Sequence, residues 1–391
     1  RSVVSAAVCF VESVIESVDK RKHTTGIFMD LSKAFDSVDH SKLIEILKIL
    51  GVSEKALNWF SSYLSNRSQY VEISYLSKYN KFIKISSDQK QLRFGVPQGS
   101  ILGPLLFLCY LKGIDSALIN KLNSELCLYA DDANLLVSSY SPDETEIHAS
   151  IELENIGNYL HNHNLLLNSQ KTKFITFKTT QNRIIREPTI MYNSHHIEKE
   201  NSMNFLGLIV DQNLNWDDYV NKILTKINSG IYALTKMSHY CDSKTLKNIY
   251  FAHVQSHISY CIALYGCTKK INMNCILKQQ KRCIRIMLRL EYRESVKEHF
   301  KHLNIFTVYS LYIYECILIV KTQSSKLNTT PSFHTYNTRN RDNIIQPHRL
   351  KFYEKKPTYA GYKFLKYVPE NIKKEQNLVR FKIFFKSLSN K

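Results

Sequence analysis

Leu126-Cys127-Leu128-Tyr129-Ala130-Asp131-Asp132-Ala133-Asn134-Leu135-Leu136-Val137 is the stretch that decides the fold of this chain. Two short runs of β-type residues flank an Asp-Asp pair, which predicts a hairpin with both carboxylates at its turn. Adjacent carboxylates repel each other unless a cation neutralises them, and a hard divalent ion such as Mg²⁺ suits oxygen ligands. Asp is also an ordinary turn residue, so Tyr129–Asp132 taken alone reads more simply as a polar β-turn. Other parts of the chain decide between the two.

A third carboxylate stands far upstream. Residues 24–31 form a β-branched, apolar run, and Phe28-Met29-Asp30-Leu31 sets a charge within it, which is costly without a partner. Asp30 and Asp131 are 131 − 30 = 101 positions apart, so they meet only if their strands are neighbours in one sheet. Three carboxylates converging there would hold two Mg²⁺ ions about 4 Å apart, the arrangement polymerases use for in-line phosphoryl transfer. Asp39 precedes a helix and is expected as its N-cap or first-turn charge. Asp36 is expected in a structural hydrogen bond.

The remaining pattern alternates helix and strand. Helices are expected over 3–18, 42–50 (stopped by Gly51), 53–64 and 104–118, and from Ser141-Pro142-Asp143-Glu144 to about residue 161. Strands are expected within 69–86, over 171–178 and within 189–210, and residues 216–320 read as helical almost throughout. A chain of 391 residues accommodates two or three domains. Its net charge of +19 points to a polyanionic partner, nucleic acid or an acidic membrane surface. Residues 321–391 carry sixteen Lys/Arg against four Asp/Glu, so the excess grows toward that end. The most apolar windows, 101–111 and 311–320, fall short of the roughly 18 residues of a membrane span. Nine scattered cysteines suit reduced thiols. Cys261, Cys267, Cys275 and Cys283 lack a C-x₂-C pair, and a helix is preferred there over a zinc site. Arg1 is no initiator, and the chain reads as a fragment of something longer.

The motifs themselves carry a resemblance. Phe28-Met29-Asp30-Leu31-Ser32-Lys33-Ala34-Phe35-Asp36 resembles the first catalytic motif of reverse transcriptases. Phe94-Gly95-Val96-Pro97-Gln98-Gly99-Ser100-Ile101-Leu102-Gly103-Pro104 resembles the second, and Tyr129–Asp132 the third. Asn168-Ser169-Gln170-Lys171-Thr172 resembles the fourth, and Phe205-Leu206-Gly207 the fifth, the primer grip. The wording is similar to non-LTR (LINE-type, jockey-like) retrotransposons, over roughly residues 1–210. Tyr336-Asn337-Thr338-Arg339 and Tyr367-Val368-Pro369-Glu370 are weakly similar to the C-terminal region of the same elements.

The resemblance implies an α+β fold, a right-hand polymerase whose palm is an antiparallel sheet with helices. Residues 1–210 would form partial fingers and palm, 211–322 a helical thumb-like region, and 323–391 a basic C-terminal region. The N-terminal endonuclease and part of the fingers would be missing. The implied reaction is RNA-directed addition of dNMPs to a primer 3′-hydroxyl, in retrotransposition, with two Mg²⁺ ions (or Mn²⁺) on Asp30, Asp131 and Asp132. Lys171 matches a lysine that neutralises or protonates the pyrophosphate. Phe35 matches the steric gate against a ribose 2′-hydroxyl, while Gln98 and Gly99 match a loop that meets the incoming nucleotide and template. Phe205, Leu206 and Gly207 would set hairpin geometry and thereby position the primer.

Lys278, Lys281, Arg282, Arg285 and Arg289 recur at three- and four-residue steps, and in a thumb they would meet phosphates. Tyr336, His348, Phe352, Tyr353, Tyr359, Tyr362 and Tyr367, interleaved with Lys and Arg, suit RNA stacking. Implied partners are an RNA template, a DNA primer or target DNA, dNTPs and an element RNA-binding protein, in nucleus and cytoplasm, with no membrane. Two rivals stand beside this reading. One is an inactive element remnant that only binds nucleic acid. The other is an RNA polymerase or group II intron maturase, and Phe35 argues against the RNA polymerase.

Overall fold

The structure, a computed structural model, describes residues 2–182, 186, 188–323, 348–373, 375 and 377–388. Tyr336 and the Tyr336–Arg339 motif lie outside the described residues. The chain forms two compact units, neither continuous in sequence. One comprises Thr25–Phe174 with Arg186–Lys199, the other Arg1–Thr24, Ile175–Ile185 and Glu200–Lys391.

A five-stranded sheet organises the first unit. Its order is Glu198–Lys199, Lys173–Phe177, His23–Met29, Asp132–Ser139, Ser124–Tyr129. The strand that leads to Asp30 therefore lies beside the strand that begins at Asp132. Every residue of His23–Met29 after His23 is buried, and every residue of Asp132–Ser139 after Asp132. Such continuous burial takes in the polar residues Thr24, Thr25, Asn134, Ser138 and Ser139 as well as the apolar ones, and marks central strands covered on both faces. Helix Pro142–Asn162 buries Ala149, Leu153, Ile156 and Leu160, a helical stripe that joins Ile27, Leu135, Val137 and Phe107 in one core. Burying each of the leucine, isoleucine, valine and phenylalanine side chains is worth roughly 1.5–3 kcal/mol.

Local chemistry sets the helix ends. Asp39 Oδ1 accepts the Lys42 N–H at 2.9 Å, capping helix His40–Ile49 as expected. Gly51, at φ +86°, closes that helix, with the Val52 N–H reaching back to the Leu47 carbonyl. The helix expected over 104–118 is shorter than its apolar run. It spans Leu102–Tyr110, and after Gly113 (φ +100°) the chain continues as a 3₁₀ turn, Ile114–Ala117. The strands expected within 69–86 form a hairpin, Glu72–Leu76 with Phe82–Ser86. Its register sets Ile73, Tyr75, Ile83 and Ile85 on one exposed face and the Glu72–Lys84 ion pair on the other.

The second unit is mainly helical. Helix Val3–Asp19 turns Ala7, Val11, Val14 and Ile15 inward, and Phe10 meets Phe177 and Phe205 at ring separations of 6.4 and 4.7 Å. The basic C-terminal segment packs on this helix. Buried Asp19 accepts the Arg349 and Leu350 N–H groups, Glu12 accepts that of Thr358, and Lys356 pairs with Glu16 at 2.5 Å. Burial raises the Glu12 carboxyl. Lys355 donates to the Asn213 and Leu214 carbonyls and to Asn215 Oδ1.

The tail aromatics thus differ from the expectation of an RNA-stacking surface. Phe352 and Tyr362 are buried, and His348, Tyr353 and Tyr359 lie against one another. Tyr367, 84% exposed, keeps a free face. Burial pushes the Cys261 and Cys283 thiols up to about 12 and Cys267 up to about 11, which suits packed thiols rather than metal-binding thiolates. Among the described residues, no helix is long and apolar enough to cross a membrane.

Candidate active site

The hairpin forms as the sequence predicts. Strands Ser124–Tyr129 and Asp132–Ser139 pair in antiparallel register with Tyr129 opposite Asp132, and Ala130 takes φ +52° to make the two-residue turn. Asp131 is exposed at that turn, and Asp132, open to solvent on one side, has a partly desolvated carboxyl. Asp30 leaves the end of the neighbouring strand half-buried. Its carbonyl accepts the Asn168 N–H at 2.9 Å, and Leu31–Ser32 pairs with Leu166–Leu167. Asn168 Oδ1 in turn accepts the Lys171 N–H at 3.3 Å, which sets Lys171 Nζ 3.8 Å from Asp30 Oδ2.

Asp132 feels the two other carboxylates. Burial first, then the charges of Asp131 and Asp30, raise the Asp132 carboxyl above its ordinary range. Among the described residues, no group of three or more His, Cys, Asp or Glu is drawn close enough to form a ready ligand cage. The donor chemistry nonetheless fits a hard divalent cation: carboxylate oxygens only, with mutual repulsion that such an ion would relieve.

Beside Asp131 lies a cavity of about 380 Å³. Phe35, Gln98, Gly99 and Asp131 line it together with Lys33 and Ala34. Four predicted residues from three separate motifs thus share one wall. Phe35 is half-buried, its ring tilted on Phe107 at 4.6 Å, and its carbonyl accepts the Val96 N–H at 2.8 Å. Gln98 Nε2 donates to Asp36 Oδ1 at 2.8 Å, so Asp36 supports the loop, the structural role expected of it. Lys33 has no counterpart among the predicted residues. Its left-handed backbone (φ +50°) follows from the tight turn into the 3₁₀ segment Ala34–Asp36, which residue spacing does not reveal.

Gly95 shows why this loop needs glycine. Its φ is +90°, and a Cβ there would stand 2.8 Å from the Asp36 Cα. At Gly99 (φ +79°) a Cβ would meet nothing within 4 Å. Gly99→Ala is therefore expected to cost about 1–2 kcal/mol for the left-handed backbone alone. Gly95→Ala carries in addition a backbone clash of about 1–3 kcal/mol. Urea midpoints of the two variants check the order.

The predicted nucleic-acid residues lie in the helical unit. Phe205 is core, while Leu206 (φ +48°) and Gly207 (φ +83°) turn the hairpin Ser202–Phe205/Leu208–Asp211. The Tyr260 hydroxyl donates to the Leu206 carbonyl, and Lys222 Nζ donates to that of Gly207 at 3.2 Å. Lys222 and Lys226, both missed by the sequence reading, stand in a cavity of about 340 Å³ beside Gly207.

On helix Lys270–Leu288 and its end, Lys278, Lys281, Arg282, Arg285 and Arg289 line a groove of about 1,080 Å³ with no carboxylate among its lining residues. Arg285 also grips the Glu294 carbonyl through two nitrogens, and Arg289 donates to the Ser238 carbonyl. Lys278, Lys281 and Arg282 are exposed along the groove.

Residues 6–210 match the family described as reverse transcriptase (RNA-dependent DNA polymerase). The chain is similar to the RNA-directed DNA polymerase from mobile element jockey of Drosophila melanogaster, 24% identical over 70% of this chain and 29% of that one. The jockey polymerase of Drosophila funebris is 26% identical over the same shares. The chain thus spans less than a third of the length of these relatives. Among solved structures it is similar to apo telomerase from Candida tropicalis, 12% identical, with a TM-score of 0.42 over 82% of this chain and 54% of that one.

Proposed function

The chain belongs to the reverse transcriptase family, and from that premise we propose that it adds deoxynucleotides to a primer 3′-hydroxyl copied from an RNA template. The observation that carries the reading is the shared wall of Phe35, Gln98, Gly99 and Asp131 around one nucleotide-sized cavity. Gln98, steadied by Asp36, faces the incoming base and template. The Phe35 ring crowds the sugar 2′ position and so favours dNTPs.

Asp30, Asp131 and Asp132 would hold the divalent cations. Bound Mg²⁺ or Mn²⁺ supplies charge neutralisation on the phosphoryl oxygens and a more acidic 3′-hydroxyl. Lys171, tethered beside Asp30, offers its ammonium to the departing pyrophosphate. The basic groove at Lys278–Arg289 holds phosphates of the template–primer, so binding there weakens steeply with salt. Retrotransposition in the nucleus, with target DNA as primer and cytoplasmic assembly with element RNA and its binding protein, is the setting that suits these partners.

Extension of oligo(dT) on poly(rA) with dTTP and Mg²⁺ by the purified chain tests this reading. Elongated primer is the expected result. Retention on the RNA without extension identifies the chain as a binding remnant instead.

A further inference from the structure

Two stretches far apart in sequence face each other across the cavity beside Asp131: Phe35 from one, Gln98 and Gly99 from the other. We propose that His40, which is not among the lining residues, sets the spacing between them and is thereby a positioning residue for sugar selection. By holding the Gly95 carbonyl it keeps the Gln98 loop at a fixed distance from the Phe35 ring, so that the cavity accepts a 2′-deoxyribose and refuses a ribose. The proposal deepens the reading of this cavity as a deoxynucleotide site and rests on it.

His40 opens helix His40–Ile49, and its Nε2 stands 2.7 Å from the Gly95 carbonyl oxygen. A carbonyl can only accept, so Nε2 carries the proton whether the ring is neutral or charged. The backbone at His40 is itself pinned. Asp39 caps the helix through the Lys42 N–H, and Asn164 Nδ2 donates to its other carboxylate oxygen at 3.4 Å. The Asp39 N–H donates to the Tyr110 hydroxyl at 3.4 Å, which donates in turn to the His163 carbonyl at 2.7 Å. Tyr110 ends the helix Leu102–Tyr110 that follows the Gln98 loop, and Phe107 of the same helix backs the Phe35 ring.

The loop is laid along residues 35–40 like a short strand. Asp39 and Phe94 form an antiparallel bridge, the Gly95 N–H donates to the Val38 carbonyl and the Val96 N–H to the Phe35 carbonyl, each at 2.8 Å. Two side chains fasten the loop, Asp36 at Gln98 and His40 at Gly95. Removing the imidazole leaves the backbone bonds in place, so the loop should loosen rather than detach. A small outward shift is enough to admit one extra oxygen beside the Phe35 ring, because misplacement of about 1 Å can cost a hundredfold. A histidine that merely satisfied a carbonyl would affect melting and leave sugar selection alone.

The test uses the full chain on primed poly(rA), with dTTP and UTP incorporation followed separately. His40→Ala should raise the KM for dTTP more than it lowers kcat, and should lower the dTTP/UTP ratio of kcat/KM about tenfold, the scale of one hydrogen bond. Retention on poly(rA) should not change. His40→Gln, whose Nε2 lies the same number of bonds from Cα, should restore most of the ratio. In the Phe35→Ala background, His40→Ala should add no further loss, since the ring it serves is gone. His40→Asn, too short to reach Gly95, carries the same expectation should the alanine variant fail to fold. An unchanged ratio in a folded variant overturns the proposal, as does a loss that simply adds to that of Phe35→Ala. A parent chain that extends without preferring dTTP overturns the deoxynucleotide reading as well. A selective parent with unchanged variants overturns only the role of His40.

Discussion

Asp131→Asn should lower the rate of primer extension by about three orders of magnitude while leaving RNA retention intact. Asp131 is the one carboxylate of the three that both lines the nucleotide-sized cavity and stands at the hairpin turn. In the proposed reaction, losing its charge where the cation and triphosphate would meet should remove several kcal/mol of transition-state stabilisation, and about 4 kcal/mol corresponds to a thousandfold. The proposed phosphate contacts lie on other residues, so affinity for RNA should hold or rise slightly.

The neighbouring Asp132→Asn has a companion signature in stability. The Asp132 carboxyl is raised by burial and by Asp131 and Asp30. A carboxyl with a raised folded pKa contributes stability that is present below its unfolded pKa and lost as pH rises through the folded one. The Asn variant should therefore melt at a higher temperature than the parent at pH 7, and the gain should vanish at acid pH. Equal melting at both pH values would mean that the carboxylates do not repel one another.

Phe35→Ala should admit ribonucleotides. The ring lies on Phe107 and lines the cavity beside Gln98 and Gly99, so its removal opens space where a 2′-oxygen would otherwise collide. Discrimination between dTTP and UTP, measured as the ratio of kcat/KM values, should fall by about a hundredfold. Because Phe35 is half-buried, Phe35→Leu serves as the milder variant. It should keep the packing on Phe107 and lose part of the discrimination. A full dTTP preference in both variants would leave Phe35 as an ordinary packing residue.

The Asp131-Asp132 hairpin was legible because its cause is local: two apolar β runs around the pair fold the same way wherever they sit. The Asp30 strand was legible as a strand, but not its neighbour. Residue periodicity is silent on the pairing of His23–Met29 with Asp132–Ser139, and only the ordered motifs implied it. Gly113 ended a helix that apolar content alone would have prolonged.

The tail aromatics misled for a physical reason. Phe352 and Tyr362 alternate with lysines and show no period, and their segment is anchored by helix Val3–Asp19 more than 300 residues earlier. Lys222 and Lys226 were missed for a related reason: they flank the Gly207 turn only through the packing of a separate helix. Long-range contacts of this kind leave no trace in spacing.

The most direct measurement is equilibrium Mn²⁺ binding, read by electron paramagnetic resonance, to the chain with primed poly(rA) and dTTP, for the parent and for Asp131→Asn/Asp132→Asn. The parent should bind the ion and the double variant should lose it, at equal occupancy by RNA. Equal Mn²⁺ binding by both would contradict the assignment of the strand-end carboxylates as the metal site.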